Sequence, residues 1–347
     1  MTTSQKASNV QQEVQQQAGK LIAHYAGFVG YKTIEIGQKS GLLKTLAQSA
    51  NGLSVKDLAA QAGTDEFYTG VWARAAYAAE LVEVDDHGRY ALAPHIADLL
   101  VNEDFPGYVG GIPGLFSQPE FIDNFAGALN TGEHIWWEDT SPEFITAVSK
   151  TGWPFYNRLI PKGLDNVPGL PETLSGEARV LELGSGVGRG LVKFASTFPG
   201  SAITGVDGDR HSVDRAAELV EHEGMSDRIA LVQSTLEDFV EDDAFDLAFI
   251  NISMHECRDM DRVTDNVKRS LKPGGWFVIS DLPFPDSKEG LRTPAARVLT
   301  GIQYYEAQIE DQLLPTAAFV KLLEQHGFRD VGSVDISPLH NLIFGRK

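Results

Sequence analysis

From residue 180 onward, short apolar runs alternate with stretches whose apolar positions recur every three or four residues. Runs at 180–183, 203–207, 227–233, 244–251 and 276–281 predict strands, whereas 212–223, 260–271, 297–312 and 316–327 predict helices. Strand and helix taking turns over this length predict a parallel, doubly wound α/β sheet. Upstream the pattern changes. Residues 10–25 predict a helix with Val14, Leu21 and Ile22 on one face. Residues 36–93 predict a winged helix: Ser54 caps one helix, Gly63-Thr64 turns, 65–80 is a second helix, and 81–93 is a hairpin turning at Asp86-His87-Gly88. Between these regions, residues 105–171 are rich in aromatic side chains, with helical patches broken by Pro113, Pro119, Pro142 and Pro154. The expected division is therefore 1–104, 105–171 and 172–347.

The run at 180–183 leads directly into glycines at 184, 186, 188 and 190. Removing four side chains from a strand-to-helix bend lets backbone press against a ligand at the carboxyl edge of a sheet. A dinucleotide fingerprint would need its third glycine at 189, which is Arg189, so a bound pyrophosphate is disfavoured. The second strand ends in Asp207, 25 residues after Glu182, where an acid can accept hydrogen bonds from ribose hydroxyls. Asp209 is the substitute for that role.

Glu182, Gly184, Gly186 and Gly188 together resemble motif I of the class I S-adenosylmethionine-dependent methyltransferases. The Leu271-Lys272-Pro273-Gly274-Gly275 turn is similar to that family as well, and the resemblance covers residues 172–347. It implies a seven-stranded Rossmann-like methyltransferase sheet, closed by an antiparallel pair at 328–336 and 341–345. It also implies S-adenosylmethionine as cofactor. On the amino-acid and sugar side, the implied contacts are Glu182, Gly184, Ser185, Gly186, Gly188, Asp207 and Gly208, with Asn251 after the fourth strand. Where the family usually offers an acid to the adenine amino group, this chain has Thr235, followed by Leu236 to pack on the ring. Glu237 and Asp238 are read as part of a solvated acidic rim.

The N-terminal arrangement resembles that of small-molecule O-methyltransferases. It implies a homodimer formed through the winged-helix domain and a small-molecule acceptor walled by 105–171. Trp136, Trp137, Trp153 and Tyr156 are the expected acceptor-side aromatics of that bridge, joined by Met254, Tyr304, Tyr305 and His340 from later segments. His255 follows the fourth strand at the sheet's carboxyl edge, and an imidazole with a pKa near 6.5 can take a proton from a hydroxyl acceptor. His255-Glu256 is similar to the histidine–acid pair of plant-type O-methyltransferases, with Cys257 in place of the tryptophan that follows it there. A histidine at this place in other class I members only packs or contacts cofactor. Metal-assisted transfer would want hard oxygen ligands after the fourth and fifth strands; the chain offers Asn251 and Asp281, then Leu282-Pro283, so no metal is expected.

Composition narrows the partners. Acids outnumber bases 48 to 29, a formal charge of −19, whereas nucleic acid is held by clustered Lys and Arg. The second helix of the winged helix carries Asp65, Glu66 and Glu80 against a single Arg74, so no nucleic acid is expected. No apolar run approaches the roughly 18 residues of a membrane span. Cys257 is the lone cysteine, which points to a reducing, cytoplasmic setting. The expected activity is methyl transfer from S-adenosylmethionine to a small molecule at oxygen. Two rivals stay open: a methyltransferase-fold protein using its pocket for rearrangement, cyclisation or decarboxylation, and a ligand-responsive winged-helix regulator.

Overall fold

The computed structural model describes residues 3–135 and 140–347, in two compact units that divide after Gly114. The first opens with α1 (Thr3–Lys39), 37 residues long and well beyond the predicted 10–25. No proline interrupts it, and Gly37 marks a close approach instead of a break: a Cβ there would lie 2.7 Å from the Trp72 ring. Trp72 in turn donates its Nε1–H to the Thr33 carbonyl at 2.9 Å. After α2 (Leu42–Ala47), α3 (Val55–Ala62) begins where Ser54 Oγ accepts the Asp57 N–H, and ends at left-handed Gly63. Asp65 caps α4 (Glu66–Ala78) by accepting the Tyr68 N–H at 3.0 Å. The strands β1 (Val82–Val84) and β2 (Tyr90–Leu92) then pair antiparallel, completing the winged helix around Leu43, Leu58, Trp72 and Val82.

The second unit is built on a seven-stranded sheet. Its strands are β3 (Arg179–Leu183), β4 (Ala202–Asp207), β5 (Ile229–Gln233), β6 (Phe245–Asn251), β7 (Leu271–Asp281), β8 (Arg329–Ser337) and β9 (His340–Arg346). Their order is β5-β4-β3-β6-β7-β9-β8, parallel except for β9, which runs antiparallel to both its neighbours. Leu247 to Ile250 of β6 are all buried, because helices cover both faces. Val180, Phe194, Phe249 and Val278 fill one side, and Leu181, Ile250, Ile279 and Phe319 the other. The predicted turn at 272–275 lies inside β7 as an irregular stretch, where pairing with β6 jumps from Phe245↔Leu271 to Leu247↔Trp276.

The chain leaves β3 towards β4 on one side and later returns as β6 on the other. Open α/β sheets bind ligands at the carboxyl ends of strands where the order reverses in this way. Above that crevice stands the helix Pro142–Arg158, capped by Ser141. It runs on through Pro154, where a break was expected; the proline gives up one helical hydrogen bond, but its ring is buried. Asp209, the alternative ribose acceptor, also caps the helix Arg210–His222, its Oδ2 accepting the Ser212 N–H at 2.8 Å. Among the described residues, no helix is long and apolar enough to cross a membrane.

Candidate active site

The turn after β3 needs its glycines. Gly184, Gly186 and Gly188 all take positive φ, and at Gly186 a Cβ would meet nothing within 4 Å, so this stretch of backbone borders open space. Asp207, at the end of β4, pins the turn. Its Oδ2 accepts the Gly186 N–H at 2.7 Å and its Oδ1 accepts the Asp209 N–H at 2.9 Å. Burial raises the Asp207 pKa, and these two backbone donors pull against that rise. Glu182 sits beneath the turn, fully buried. Its Oε1 accepts the Tyr156 hydroxyl at 2.6 Å, while Oε2 has no hydrogen-bond partner. Burial pushes this carboxyl up to about 8, against the Tyr156 hydrogen bond, with the Asp207 charge adding to the rise.

A cavity of about 660 Å³ extends from this turn. Gly184, Ser185, Gly186, Asp207 and Gly208 line one end, and Thr235, Leu236 and Asn251 continue the wall. Trp153, Tyr156, Tyr305 and Glu256 line it as well. Eight of the predicted contact residues therefore share one wall on the cofactor side, and four on the acceptor side.

Other predicted residues lie elsewhere. Met254 is buried in the core, Gly188 packs against Ala216, and Glu182 stays below the wall. Tyr304 is 42% exposed and packs its ring at a tilt against Phe125, outside the cavity. His340 is buried in a hydrogen-bonded chain: Arg158 Nε donates to its Nδ1 at 3.1 Å, and its Nε2 meets Ser280 Oγ at 2.7 Å. Ser280 in turn donates to Asn251 Oδ1 at 2.6 Å. Burial, then the Arg158 charge, lowers the His340 pKa to about 3, so this imidazole is neutral and holds Asn251 in place through Ser280. Trp136 and Trp137 fall outside the described residues.

At the far end of the cavity the acids gather. His255 itself is 4% exposed, and its Nδ1 meets Asp281 Oδ1 at 2.7 Å. Its Nε2 points to Glu306, 3.8 Å from Oε2, a distance too long for a hydrogen bond. Burial drives the imidazole towards neutrality, but the charge and hydrogen bond of Asp281, then Glu306, outweigh it and hold the pKa well above its usual value. Glu256 is pushed up to about 8 by burial and the Glu306 charge, and Asp311 to about 7 by the same two causes. Glu306, at the end of the helix Pro294–Glu306, lines the cavity yet escaped sequence reasoning. So did Arg189, whose guanidinium lies 4.3 Å over the Trp153 ring.

Comparison with known proteins bears on what this cavity holds. Human N-acetylserotonin methyltransferase, solved in complex with S-adenosylmethionine, superposes with a TM-score of 0.67 at 18% identity, over 95% of this chain and 98% of its own. A candidate O-methyltransferase of Nostoc punctiforme gives 0.71 at 16% identity, again over 95% and 98%. At these identities the likeness establishes a shared fold: the seven-stranded sheet with a helical N-terminal domain. Residues 180–275 match the family model of a methyltransferase domain. The chain carries a methyltransferase domain of the S-adenosylmethionine-dependent class.

Curated relatives agree over shorter spans. A sterol 4-C-methyltransferase of Caenorhabditis elegans is 31% identical over 110 residues, 31% of this chain and 32% of its own. The ubiquinone/menaquinone biosynthesis C-methyltransferase of Syntrophotalea carbinolica is 24% identical over 218 residues, 58% and 90% of the two chains. The chain spans about a third of the length of the first curated relatives it matches. Within this methyltransferase domain, the residues fit their cofactor on two counts. Gly186 leaves bare backbone beside open space, and Asp207 borders the cavity.

Proposed function

We propose that the protein transfers a methyl group from S-adenosylmethionine to a hydroxyl of a small molecule, with His255 as the proton's acceptor. One observation carries the reading: a single cavity joins the glycine turn and Asp207 to the end walled by Glu256 and Glu306, with His255 directly behind. The bound sulfonium supplies an electrophilic methyl group, so the protein's part is chiefly alignment and exclusion of water. Gly184, Ser185, Gly186 and Asp207 hold the donor's amino-acid and sugar ends, and Leu236 packs beside the adenine. Phe121, Phe144 and Tyr305 build an apolar wall for the acceptor, with the Tyr305 ring tilted against Phe144 at 4.5 Å. Asp281 fixes the His255 ring with Nε2 towards Glu306, which lines the cavity, and in this reading that nitrogen takes the hydroxyl proton.

The test is product analysis of the full chain with S-adenosylmethionine and a set of small aromatic and aliphatic alcohols. Methylated product should appear with an equal amount of S-adenosylhomocysteine. Turnover that leaves the donor intact would replace this reading with rearrangement, cyclisation or decarboxylation on the same fold.

The N-terminal unit serves, in this reading, to pair two copies of the chain. Val14, Leu21, Ile22, Tyr25, Phe28 and Val29 leave an exposed apolar surface along α1, each more than half accessible. Phe67 and Tyr68 of α4 add 71% and 72% exposed rings where a DNA reader would present basic side chains. Sedimentation of the full chain should give twice the 37.8 kDa monomer mass. A monomer at micromolar concentration would remove the dimer from the proposal.

A further inference from the structure

A continuous run of hydrogen bonds crosses the carboxyl edge of the sheet beneath the cavity, leaving one helix and returning to it. Arg158, the last residue of the helix Pro142–Arg158, donates through Nε to His340 Nδ1 at 3.1 Å. A guanidinium only donates, so Nδ1 carries no proton and the ring's proton sits on Nε2. That N–H donates to Ser280 Oγ at 2.7 Å, which leaves the Ser280 hydroxyl to donate to Asn251 Oδ1 at 2.6 Å. With its oxygen taken, Asn251 offers its amide N–H groups, and its side chain hydrogen-bonds Tyr156. Tyr156, back on the same helix, donates its hydroxyl to Glu182 Oε1 at 2.6 Å. His340, Ser280, Asn251 and Glu182 stand on β9, β7, β6 and β3, neighbours in that order across the sheet, and all are buried.

We propose that Arg158 is a positioning residue of this cavity: by fixing which nitrogen of His340 holds the proton, it points every bond of the chain one way and turns the amide N–H side of Asn251 towards Tyr156 and the cavity. Asn251 and Tyr156 both line that cavity, whereas Arg158, His340 and Ser280 stand behind it. Arg158 therefore acts only through the others. In a buried chain, reversing one link sets donor against donor or oxygen against oxygen, so the direction chosen at Arg158 is kept to the end. Without that first donor the His340 proton is free to move to Nδ1, and Ser280 is free to turn its hydroxyl to Nε2. Asn251 then loses the bond that orients its amide. Only the choice of ligand in the test rests on the methyl-transfer reading; the chain stands on its own distances.

The experiment has two arms, both on the full chain. In the first, isotope-labelled histidine is followed by NMR, the His340 signals being those missing from His340→Phe and His340→Gln. His340 should carry its proton on Nε2 and stay uncharged between about pH 5 and 8, whereas Arg158→Met should spread the proton over both nitrogens. A wild-type ring with its proton on Nδ1, or one that charges in that range, overturns the inference whether or not Arg158→Met folds. In the second arm, calorimetry reads S-adenosylhomocysteine affinity, with melting curves as the control. Arg158→Met and His340→Phe should each weaken binding about tenfold, the scale of one hydrogen bond. His340→Gln should bind as the wild type does, since its Oε1 accepts from Arg158 and its Nε2–H donates to Ser280. A packing role predicts the opposite order, because phenylalanine keeps the ring contact with Phe155, 4.8 Å away, and glutamine gives it up. That opposite order, equal loss in both His340 variants, or no loss in any variant overturns the inference. Wild-type protein that fails to bind S-adenosylhomocysteine counts against the methyl-transfer reading instead, and the place of the His340 proton then decides alone.

Discussion

Asp207→Ala is expected to weaken S-adenosylmethionine binding by about a hundredfold or more while the protein stays folded. The carboxylate accepts two backbone N–H groups, from Gly186 and Asp209, and so sets the shape of the turn before any ligand arrives. It also borders the cavity, where the proposed sugar contact would be lost at the same time. Hydrogen bonds to a charged group are worth about 1.5–3 kcal/mol each, so losing the two proposed bonds from the sugar hydroxyls comes to about 3 kcal/mol or more, a hundredfold in affinity, while losing the two backbone bonds lowers the melting temperature. Asp207→Asn retains an acceptor oxygen of the same shape and should lose closer to tenfold. Calorimetric titration of both variants against wild type reads the difference, with melting curves as the control. Full affinity in Asp207→Ala would show that the donor is held elsewhere.

The sheet was legible because both of its faces are covered. Continuous apolar runs such as 244–251 can only be central strands in that setting, and the glycines after β3 announce the one bend where backbone must meet ligand. Side-chain direction was not legible. Glu182 reads as a cofactor contact from its place in the motif, yet its side chain turns under the sheet edge to Tyr156, a partner 26 residues earlier. Tyr304 and Tyr305 looked equivalent as neighbours in the chain. On a helix they differ by about 100°, so Tyr305 is buried on the cavity wall and Tyr304 meets solvent. The same turn of the helix brings Glu306 to His255, a contact across 51 residues that no local pattern encodes. His340 looked like a loop histidine beside the acceptor. Antiparallel pairing of β9 between β7 and β8 buries it instead against Ser280.

His255→Ala should cut turnover on a hydroxyl acceptor by about 10²–10⁴-fold, the usual range for a lost proton acceptor, with donor affinity unchanged. Removing the ring also strands Asp281, so His255→Asn, whose amide can still donate to that carboxylate, separates loss of the base from loss of packing. Both variants should be equally slow if the imidazole takes the proton. The pH profile supplies a second, independent reading. Asp281 and Glu306 hold the His255 pKa above its ordinary value, and only the neutral ring can accept a proton, so turnover should climb as pH rises past neutrality. Glu256 and Asp311 titrate in the same neighbourhood, at about 8 and 7, so the rise belongs to the cluster as a whole. Glu306→Gln takes away one charge that retains the proton, and the climb should therefore begin at lower pH. A flat profile, with His255→Asn as fast as wild type, would make His255 a packing residue and leave methyl transfer to alignment alone.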